Sequence, residues 1–423
     1  MAGTINPSVQ ASLSPRHDVS PWAPLREPLF RSLWVAALIS YTGTWMRNVG
    51  AGWLMTQLTT SPLMVSLVQA ASTLPVFLVI LPAGALADMV DRRRFLLITQ
   101  TWMAVAAALL GIFTLLEHIN PWTLLLFTFV LGLGAVMNDP AWQAITPEII
   151  SAERHAPAVA LNSVGFNVAR AVGPAIGGLV IAAAGAGVDF LINAVSFLGV
   201  IFFLYRWKRP HFETVETGRV RDAMVAGLRY ARGAPLVRCV LIRTAAFSIG
   251  ASSLLALLPI VARPHGATGY GLLLGYFGLG ALAGGAVLPR LRTRLSVDGV
   301  VAFAIVAFAA MIFATGRVQN FAWLSLILFI SGTAWIGILA CLNVAAQTMS
   351  PPYLRARALS VYILVLQGGM AAGSALWGAV ASRLGVPAAL LWSAVALVVG
   401  LVAVRRYRLT GHELEFAPAV VRD

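Results

Sequence analysis

Long apolar segments recur along almost the whole chain and leave little choice of fold. Each is about 20 residues long, which as a helix is enough to cross a hydrocarbon layer of roughly 30 Å. Of the 423 residues, 59% are hydrophobic and only 11% are charged, and a water-soluble domain cannot enclose so much apolar surface. The sequence therefore predicts an all-α integral membrane protein.

We predict twelve membrane-spanning helices in two bundles of six, because the longest internal polar stretch follows the sixth apolar segment. The predicted parts are a tail (1–28), a first bundle (29–208), a linker (209–235), a second bundle (236–407) and a tail (408–423). Apolar residues on one face of the linker predict an amphipathic helix on the membrane surface. The predicted spans are 29–57, 62–89, 95–117, 121–147, 157–184, 188–208, 236–262, 268–290, 297–316, 320–349, 353–382 and 386–407.

The basic residues indicate how the chain is inserted. Most lie in the two tails or in every second loop, which is the positive-inside pattern and predicts that both termini are cytosolic. This placement also argues against nucleic acid as the partner that explains a net charge of +14. The exceptions are Arg47, Arg170 and Arg243 inside spans, and Arg263, Arg317 and Arg383 in the intervening loops.

A weak internal repeat relates the two halves of the chain. A shift of 200 residues matches Gly173 with Gly373, Gly178 with Gly378, and Gly185 with Gly385. Duplicated halves are typical of transporters that bind their substrate between the repeats.

Other kinds of chemistry have no support in the sequence. Lys208 is the only lysine, and no GxxxxGK[ST] phosphate-binding loop surrounds it, so ATP hydrolysis by that route is excluded. Cys239 and Cys341 both lie within predicted spans and lack the spacing of a metal site or a disulfide framework. We therefore expect no enzymatic activity, no cofactor and no metal.

The segment "GALADMVDRRR", residues 84–94, places five charges where span 2 ends. Arginines at such a position can simply fix the topology. The segment also resembles a signature of the major facilitator superfamily, although Met89 and Asp91 depart from it. The resemblance implies a cytosolic gate in which Asp88 faces a neighbouring helix end and Arg92 pairs with an acid on span 4. The predicted gate residues are Gly84, Asp88, Arg92, Arg93 and Glu148.

A second signature lies in span 5. The stretch "ARAVGPAIGG", residues 169–178, clears one helix face of bulky side chains and places a bend at its proline. This pattern fits a tight helix contact, and it resembles the antiporter motif that is found mainly in exporters of the superfamily. The motif residues are Ala169, Gly173, Pro174, Gly177 and Gly178, with Ala169 in the place of a glycine.

Segments such as "NDPAWQAITPEI" and "AVALNSVGFNVARAVGP" resemble the branch that contains macrolide-efflux and enterobactin-exporter proteins, over roughly residues 25 to 405. This resemblance implies a monomeric secondary transporter of the bacterial inner membrane. It also implies export of amphiphilic, drug-like or siderophore-like molecules against a flow of protons, through a cavity lined by helices 1, 4, 7 and 10. An importer or facilitator of a small metabolite, or a receptor or scaffold that does not transport, would share the same composition.

Ionisable residues inside membrane spans are costly and therefore candidates for function. We identify Asp139, Arg47, Arg170 and Arg243, with Asp139 as the only acid deep in a span. A partly desolvated carboxyl group can carry a proton, whereas a permanent ion pair would keep it charged. Depth along the helices favours Arg243 as the partner of Asp139. The polar and aromatic candidates for the substrate cavity are Trp45, Asn48, Asn138, Trp142, Gln143, Asn167, Tyr276, Trp335, Asn343, Gln347 and Gln367.

Overall fold

The computed structural model describes residues 20–207, 234–351 and 354–407 of the chain, and the side chains at 81, 83–89, 235 and 356 fall outside the description. The predicted linker helix and most of both tails also lie outside the described residues. The domain boundaries placed there remain predictions.

Every regular element in the described ranges is helical, which confirms the predicted all-α class. The run His155–Arg206 is broken at Gly185, and we number its two arms α5 (155–184) and α6 (186–206). The other helices are α1 (Pro28–Leu58), α2 (Pro62–Met89), α3 (Arg92–Leu115), α4 (Pro121–Ile149), α7 (Pro235–Val261), α8 (Gly266–Arg292), α9 (Val297–Thr315), α10 (Phe321–Thr348), α11 (Arg355–Leu384) and α12 (Val386–Ala403).

Ten helical segments of the described chain are long and apolar enough to cross a membrane. His155–Arg206 falls within one of these segments. Helix α1 is not among them, although it is 31 residues long, and its middle carries polar side chains such as Thr44, Arg47 and Asn48. The count of twelve crossings therefore remains a prediction.

The structure confirms the internal repeat. Gly185 and Gly385 adopt positive φ angles of 83° and 86°, and each marks the sharp join between two helices. Glycine fits there because it has no Cβ to clash in this backbone region. The same shift relates Asn120 and Asn320, whose side chains accept hydrogen bonds from the first backbone N–H groups of α4 and α10.

Two helix pairs join the first half (α1–α6) to the second half (α7–α12): α5 packs on α8, and α2 packs on α11. Gly178 of α5 lies against Gly271 of α8, and Gly378 of α11 lies against Ser66 of α2. The repeat-related glycines thus make equivalent contacts across the halves. Gly173 and Gly373 instead face the first helix of their own half, α1 and α7.

We call the side with the α2–α3, α4–α5, α8–α9 and α10–α11 connections the terminal side, and the other the opposite side. The halves are tied together at the opposite side by hydrogen bonds. The Arg263 guanidinium donates to the backbone oxygens of Thr56 and Thr59, each at 3.0 Å. The backbone N–H of Leu63 donates to Ser382 Oγ at 3.1 Å.

We expect Gly178→Ala to destabilise the contact between α5 and α8. The added Cβ would lie 2.7 Å from the oxygen of Ala267 and 3.0 Å from Cα of Gly271, both backbone atoms. Overpacking of this kind costs about 1–3 kcal/mol. Gly285→Ala is the matched control, since nothing lies within 4 Å of a Cβ there. Thermal unfolding in detergent measures the difference, and equal melting temperatures for the two variants would contradict the prediction.

Candidate functional site

A cavity of about 470 Å³ lies between the two halves. Helices α1, α2 and α5 of the first half and α7, α8, α10 and α11 of the second half line it. The predicted lining by helices 1, 7 and 10 is therefore confirmed. Helix α4 supplies none of the described residues that line this cavity, so the predicted lining by helix 4 is wrong for this cavity.

The cavity wall combines aromatic rings with a few polar groups. Four of the predicted candidates lie on it, namely Trp45, Asn48, Trp335 and Gln367. Sequence reasoning missed several others that belong to helices not expected to line a cavity. They are Gln69, Ser72, Thr73, Phe166, Tyr270 and Phe277.

Arg170 of α5 is the one charged residue among the described residues that line the cavity. It makes no hydrogen bond or ion pair with any described side chain, so its guanidinium remains available to a ligand. Pro174, one turn further along α5, lines the same wall. The antiporter-like motif thus has its proline on the cavity and its glycines in the helix contacts.

The remaining cavity candidates lie away from this wall. Asn138 is buried inside the first half, where its Oδ1 accepts a hydrogen bond from Gln100 Nε2 at 3.0 Å. Trp142 is buried beside it. Asn167 donates to the backbone oxygen of Ser163. The other four candidates also lie away from the wall. Gln143 and Tyr276 are exposed, and the Gln347 Nε2 donates a hydrogen bond to Asn343 Oδ1 at 2.6 Å.

Asp139 lies on an exposed stripe of α4 that continues through Gln143 and Pro147. It is ten residues before the end of the helix at Ile149, or about 15 Å from the terminal side. Tyr41 of α1 is near enough to interact electrostatically with the carboxylate. The Tyr41 ring also contacts Phe166 on the cavity wall, with ring centroids 5.5 Å apart.

The predicted pairing of Asp139 with Arg243 is wrong. Arg243 of α7 pairs with Asp298 in the first turn of α9, within the second half. Depth along the helices could not reveal this, because it says nothing about which helices are neighbours.

A second membrane acid was missed. Asp189 is completely buried, although it lies in the first turn of α6 and not deep in the predicted span. The sequence places Asp189 at the edge of predicted span 6, where an acid is readily interpreted as a loop residue. The break at Gly185 instead leaves this position packed against α1, where Gly50 lies next to the carboxylate. Arg47 of α1 is near enough for its charge to interact with that of Asp189.

The segment after α2 carries an ion pair and several hydrogen bonds. Arg92 pairs with Glu148 of α4 at 2.9 Å, which confirms the predicted contact. Arg93 donates to the backbone oxygens of Leu204 and Tyr205 at the end of α6, where the helix dipole favours a cation. The side chains of Gly84 and Asp88 lie outside the described residues. The gating role of this segment remains a prediction.

Comparison with known proteins agrees with this architecture. A family model described as transmembrane secretion effector, within the major facilitator superfamily, matches residues 19–420. The chain belongs to this family. It is therefore a multi-pass membrane transporter.

Three relatives of this transmembrane secretion effector have named functions. The multidrug efflux pump Tap of Mycolicibacterium fortuitum is 26% identical over 93% of this chain and 99% of its own. The staphyloferrin A transporter of Staphylococcus aureus is 26% identical over 40% of this chain and 43% of its own. The macrolide efflux protein A of Streptococcus pyogenes is 22% identical over 36% of this chain and 37% of its own.

A solved structure shows the same fold. The POT family transporter PepTSo has a TM-score of 0.73 and 13% sequence identity, covering 90% of this chain and 97% of its own. At this identity the likeness concerns the fold alone.

We expect the pair of Arg92 and Glu148 to stabilise the terminal side of this family member. The Glu148 side chain is only 4% exposed, so Arg92→Glu would place two acids together and lower the melting temperature. The swapped double variant, Arg92→Glu with Glu148→Arg, should recover much of the loss. A coupling of about 0.5–3 kcal/mol is usual for residues in direct contact. Arg94→Glu, at an exposed position of the same turn, is the control.

Purely additive losses in the swapped double variant would show that the two side chains do not stabilise each other. If Arg94→Glu lowers the melting temperature as much as Arg92→Glu does, the loss of stability is due to the change in overall charge and not to the ion pair.

Proposed function

We propose that this transporter is a proton-coupled exporter of amphiphilic small molecules that works by alternating access. In this proposal it is a monomer of the bacterial inner membrane with both termini in the cytosol, and it neither acts as an enzyme nor binds nucleic acid. The cavity between the halves carries the proposal, because its described lining residues combine aromatic rings with a single cation, Arg170, that has no described ion-pair partner.

The chemistry of the wall favours a particular class of substrate. Aromatic rings supply apolar contact area, and the amides of Asn48, Gln69 and Gln367 can orient a ligand. Arg170 offers charge-assisted hydrogen bonds to a carboxylate or another acceptor group. No acid is present among the described lining residues. The preferred substrates are therefore neutral or anionic amphiphiles, a class that includes siderophore-like acids, and cations are disfavoured.

The position of the contacts between the halves supports alternating access. Hydrogen bonds tie α1 and α2 to the second half at the opposite side, and the small-residue contact of α5 with α8 lies toward the same side. The polar stripe of α4, from Asp139 to Pro147, is exposed toward the terminal side. We propose that this state opens to the cytosol, and that the halves rock about the glycine contacts to open the other side.

Asp139 is the proposed proton carrier facing the cytosol. Its exposure allows exchange with solvent in this state, and the rings of Tyr41 and Phe166 connect its surroundings to the cavity wall. A change in its charge can therefore alter the shape of that wall.

Proton movement in inside-out vesicles tests the proposed export. A pH gradient is imposed, and macrolides, catecholate or carboxylate siderophores, and amphiphilic cations are added one at a time. Some of the neutral or acidic compounds should cause the vesicles to release protons. The release should disappear in Asp139→Asn because the amide cannot carry the proton. Glu153→Gln, which neutralises an exposed surface acid, is the control. No response to any compound, from protein that binds one of them, would favour an importer or facilitator.

Thiol accessibility tests the proposed orientation of the open side. In protein with Cys239→Ser and Cys341→Ala, we expect Asn48→Cys to react with a membrane-impermeant maleimide in inside-out vesicles and to react slowly in right-side-out cells. Glu117→Cys, in the exposed α3–α4 connection of the opposite side, should show the reverse preference. Faster reaction of Asn48→Cys from the cell exterior would overturn the assignment of the open side.

A further inference from the structure

Asp189 stands out among the buried polar residues of the first half. Its relative exposure is 0%, and neither carboxylate oxygen accepts a hydrogen bond within the described part of the chain. Asn193, one turn further along α6, is equally buried and its side-chain amide is also unbonded among described atoms. Buried polar groups are nearly always hydrogen-bonded, so this pair requires an explanation.

A buried cation faces this acid from the neighbouring helix. Arg47 of α1 is only 6% exposed, and its charge interacts with that of Asp189. The guanidinium donates its described hydrogen bond elsewhere, from Nη2 to Oδ1 of Asn48 at 2.9 Å. Asn48 lines the central cavity. Arg47 therefore lies between an acid in the bundle and a residue of the substrate wall.

The repeat indicates that the fold does not need an acid at this position. The shift that relates Gly185 to Gly385 relates Asp189 to Ala389, which is buried to the same extent. It also relates Asn193 to Ser393, whose hydroxyl is hydrogen-bonded to Ser253 of α7 at 2.7 Å. In the second half, the equivalent helices α7 and α12 thus pack with an alanine in place of the acid, and Ser393 has a hydrogen-bond partner.

Few charged groups lie on the same side of the bundle as Asp189. Gly50 of α1 lies next to its carboxylate, and Gly187 of α6 lies against Leu115 at the end of α3. Glu117 and His118 follow that end of α3 and are exposed. The other titratable residues of the helices that pack on α6 lie nearer the terminal side. They are Arg31 and Tyr41 of α1, Arg92, Arg93 and Arg94 of α3, Asp139 and Glu148 of α4, and His155 and Arg170 of α5.

A buried carboxyl group without hydrogen-bond partners costs less free energy when it is neutral than when it is ionised. In the described arrangement Arg47 donates to Asn48, and the Asp189 oxygens are unbonded among the described atoms, so this arrangement favours the protonated form of the acid. Loss of that proton would attract the guanidinium to the carboxylate and weaken its bond to Asn48. The protonation state of Asp189 is in this way linked to the cavity wall.

We propose that Asp189 is a second proton-binding site of this transporter, buried toward the opposite side, and that Arg47 transmits its protonation state to Asn48 on the cavity wall. This inference rests on the proposed function, because a second proton-binding site besides Asp139 has a physiological role only if export is coupled to protons. Protonated Asp189 holds the described conformation, and ionised Asp189 favours the other one.

The pH dependence of the conformational equilibrium tests this site without any transport substrate. Spin labels on Val159→Cys and Val287→Cys, exposed positions of α5 and α8 near the terminal side, report the separation of the halves in lipid nanodiscs. Both native cysteines are replaced. Near the midpoint of a single linked site, the ratio of the two conformations changes by up to about tenfold per pH unit.

We expect this pH response in the labelled parent protein. Asp189→Asn should weaken the response and favour the described conformation, and any remaining response should disappear when Asp139→Asn is added. Glu117→Gln, which neutralises an exposed acid of the opposite side, should behave like the parent. A pH response of Asp189→Asn equal to that of the parent would overturn the proposal, and so would a parent whose conformations do not respond to pH.

A spectroscopic measurement covers the case in which Asp189→Asn fails to fold. Asp189→Glu keeps the carboxyl group, and infrared difference spectra between acidic and alkaline pH report the carbonyl band of a protonated acid. A band that shifts in frequency in Asp189→Glu belongs to this residue and supports the site. Identical spectra for parent and variant would overturn it.

The two proposals can fail separately. If substrate-driven proton release occurs in vesicles but Asp189→Asn leaves the pH response intact, export stands and this site is lost. If the pH response depends on Asp189 but no compound drives proton movement, the site stands and export is lost.

Discussion

Close contact between helices of the two halves is the constraint on which the rest of this structure depends. In a membrane, helices gain little from burying apolar surface and associate instead through tight packing of small residues. Gly178 against Gly271, and Gly378 against Ser66, bring the halves together at equivalent places in the repeat. These contacts lie to one side of the cavity. In the proposed transport cycle, the space between the halves opens and closes while these contact surfaces are kept.

Charges inside the membrane are distributed according to the same architecture. Each half contains one of two ion pairs: Arg92 pairs with Glu148 in the first half, and Arg243 pairs with Asp298 in the second. Both pairs lie toward the terminal side. Arg170 has no ion-pair partner among the described residues and lies on the cavity wall. The proposed proton sites differ in exposure, since the Asp139 side chain lies at the protein surface and Asp189 is enclosed. A transporter with one acid near each side has a physical means to link proton binding to the conformation of the halves.

Several parts of the site could be predicted from residue types alone. Trp45, Asn48, Trp335 and Gln367 are polar or amphipathic groups within apolar helices, and all four line the cavity. The contact of Arg92 with Glu148 was instead implied by the resemblance of residues 84–94 to the superfamily signature. Asn138 shares those features but points into the first half. Helix periodicity identifies faces, and it does not say which neighbour each face meets.

The sequence by itself determined the membrane environment and the helical class, because hydrocarbon accepts only chains whose backbone hydrogen bonds are satisfied internally. Its glycine spacing and its motifs also indicated the repeat and the family. Tertiary structure alone decided the partner of Arg243 and the burial of Asp189. Arg243 met Asp298 rather than Asp139, and Asp189 became fully buried once the break at Gly185 set α6 against α1. These outcomes depend on which helices are adjacent and how each is rotated, and such information arises only when all the helices pack together.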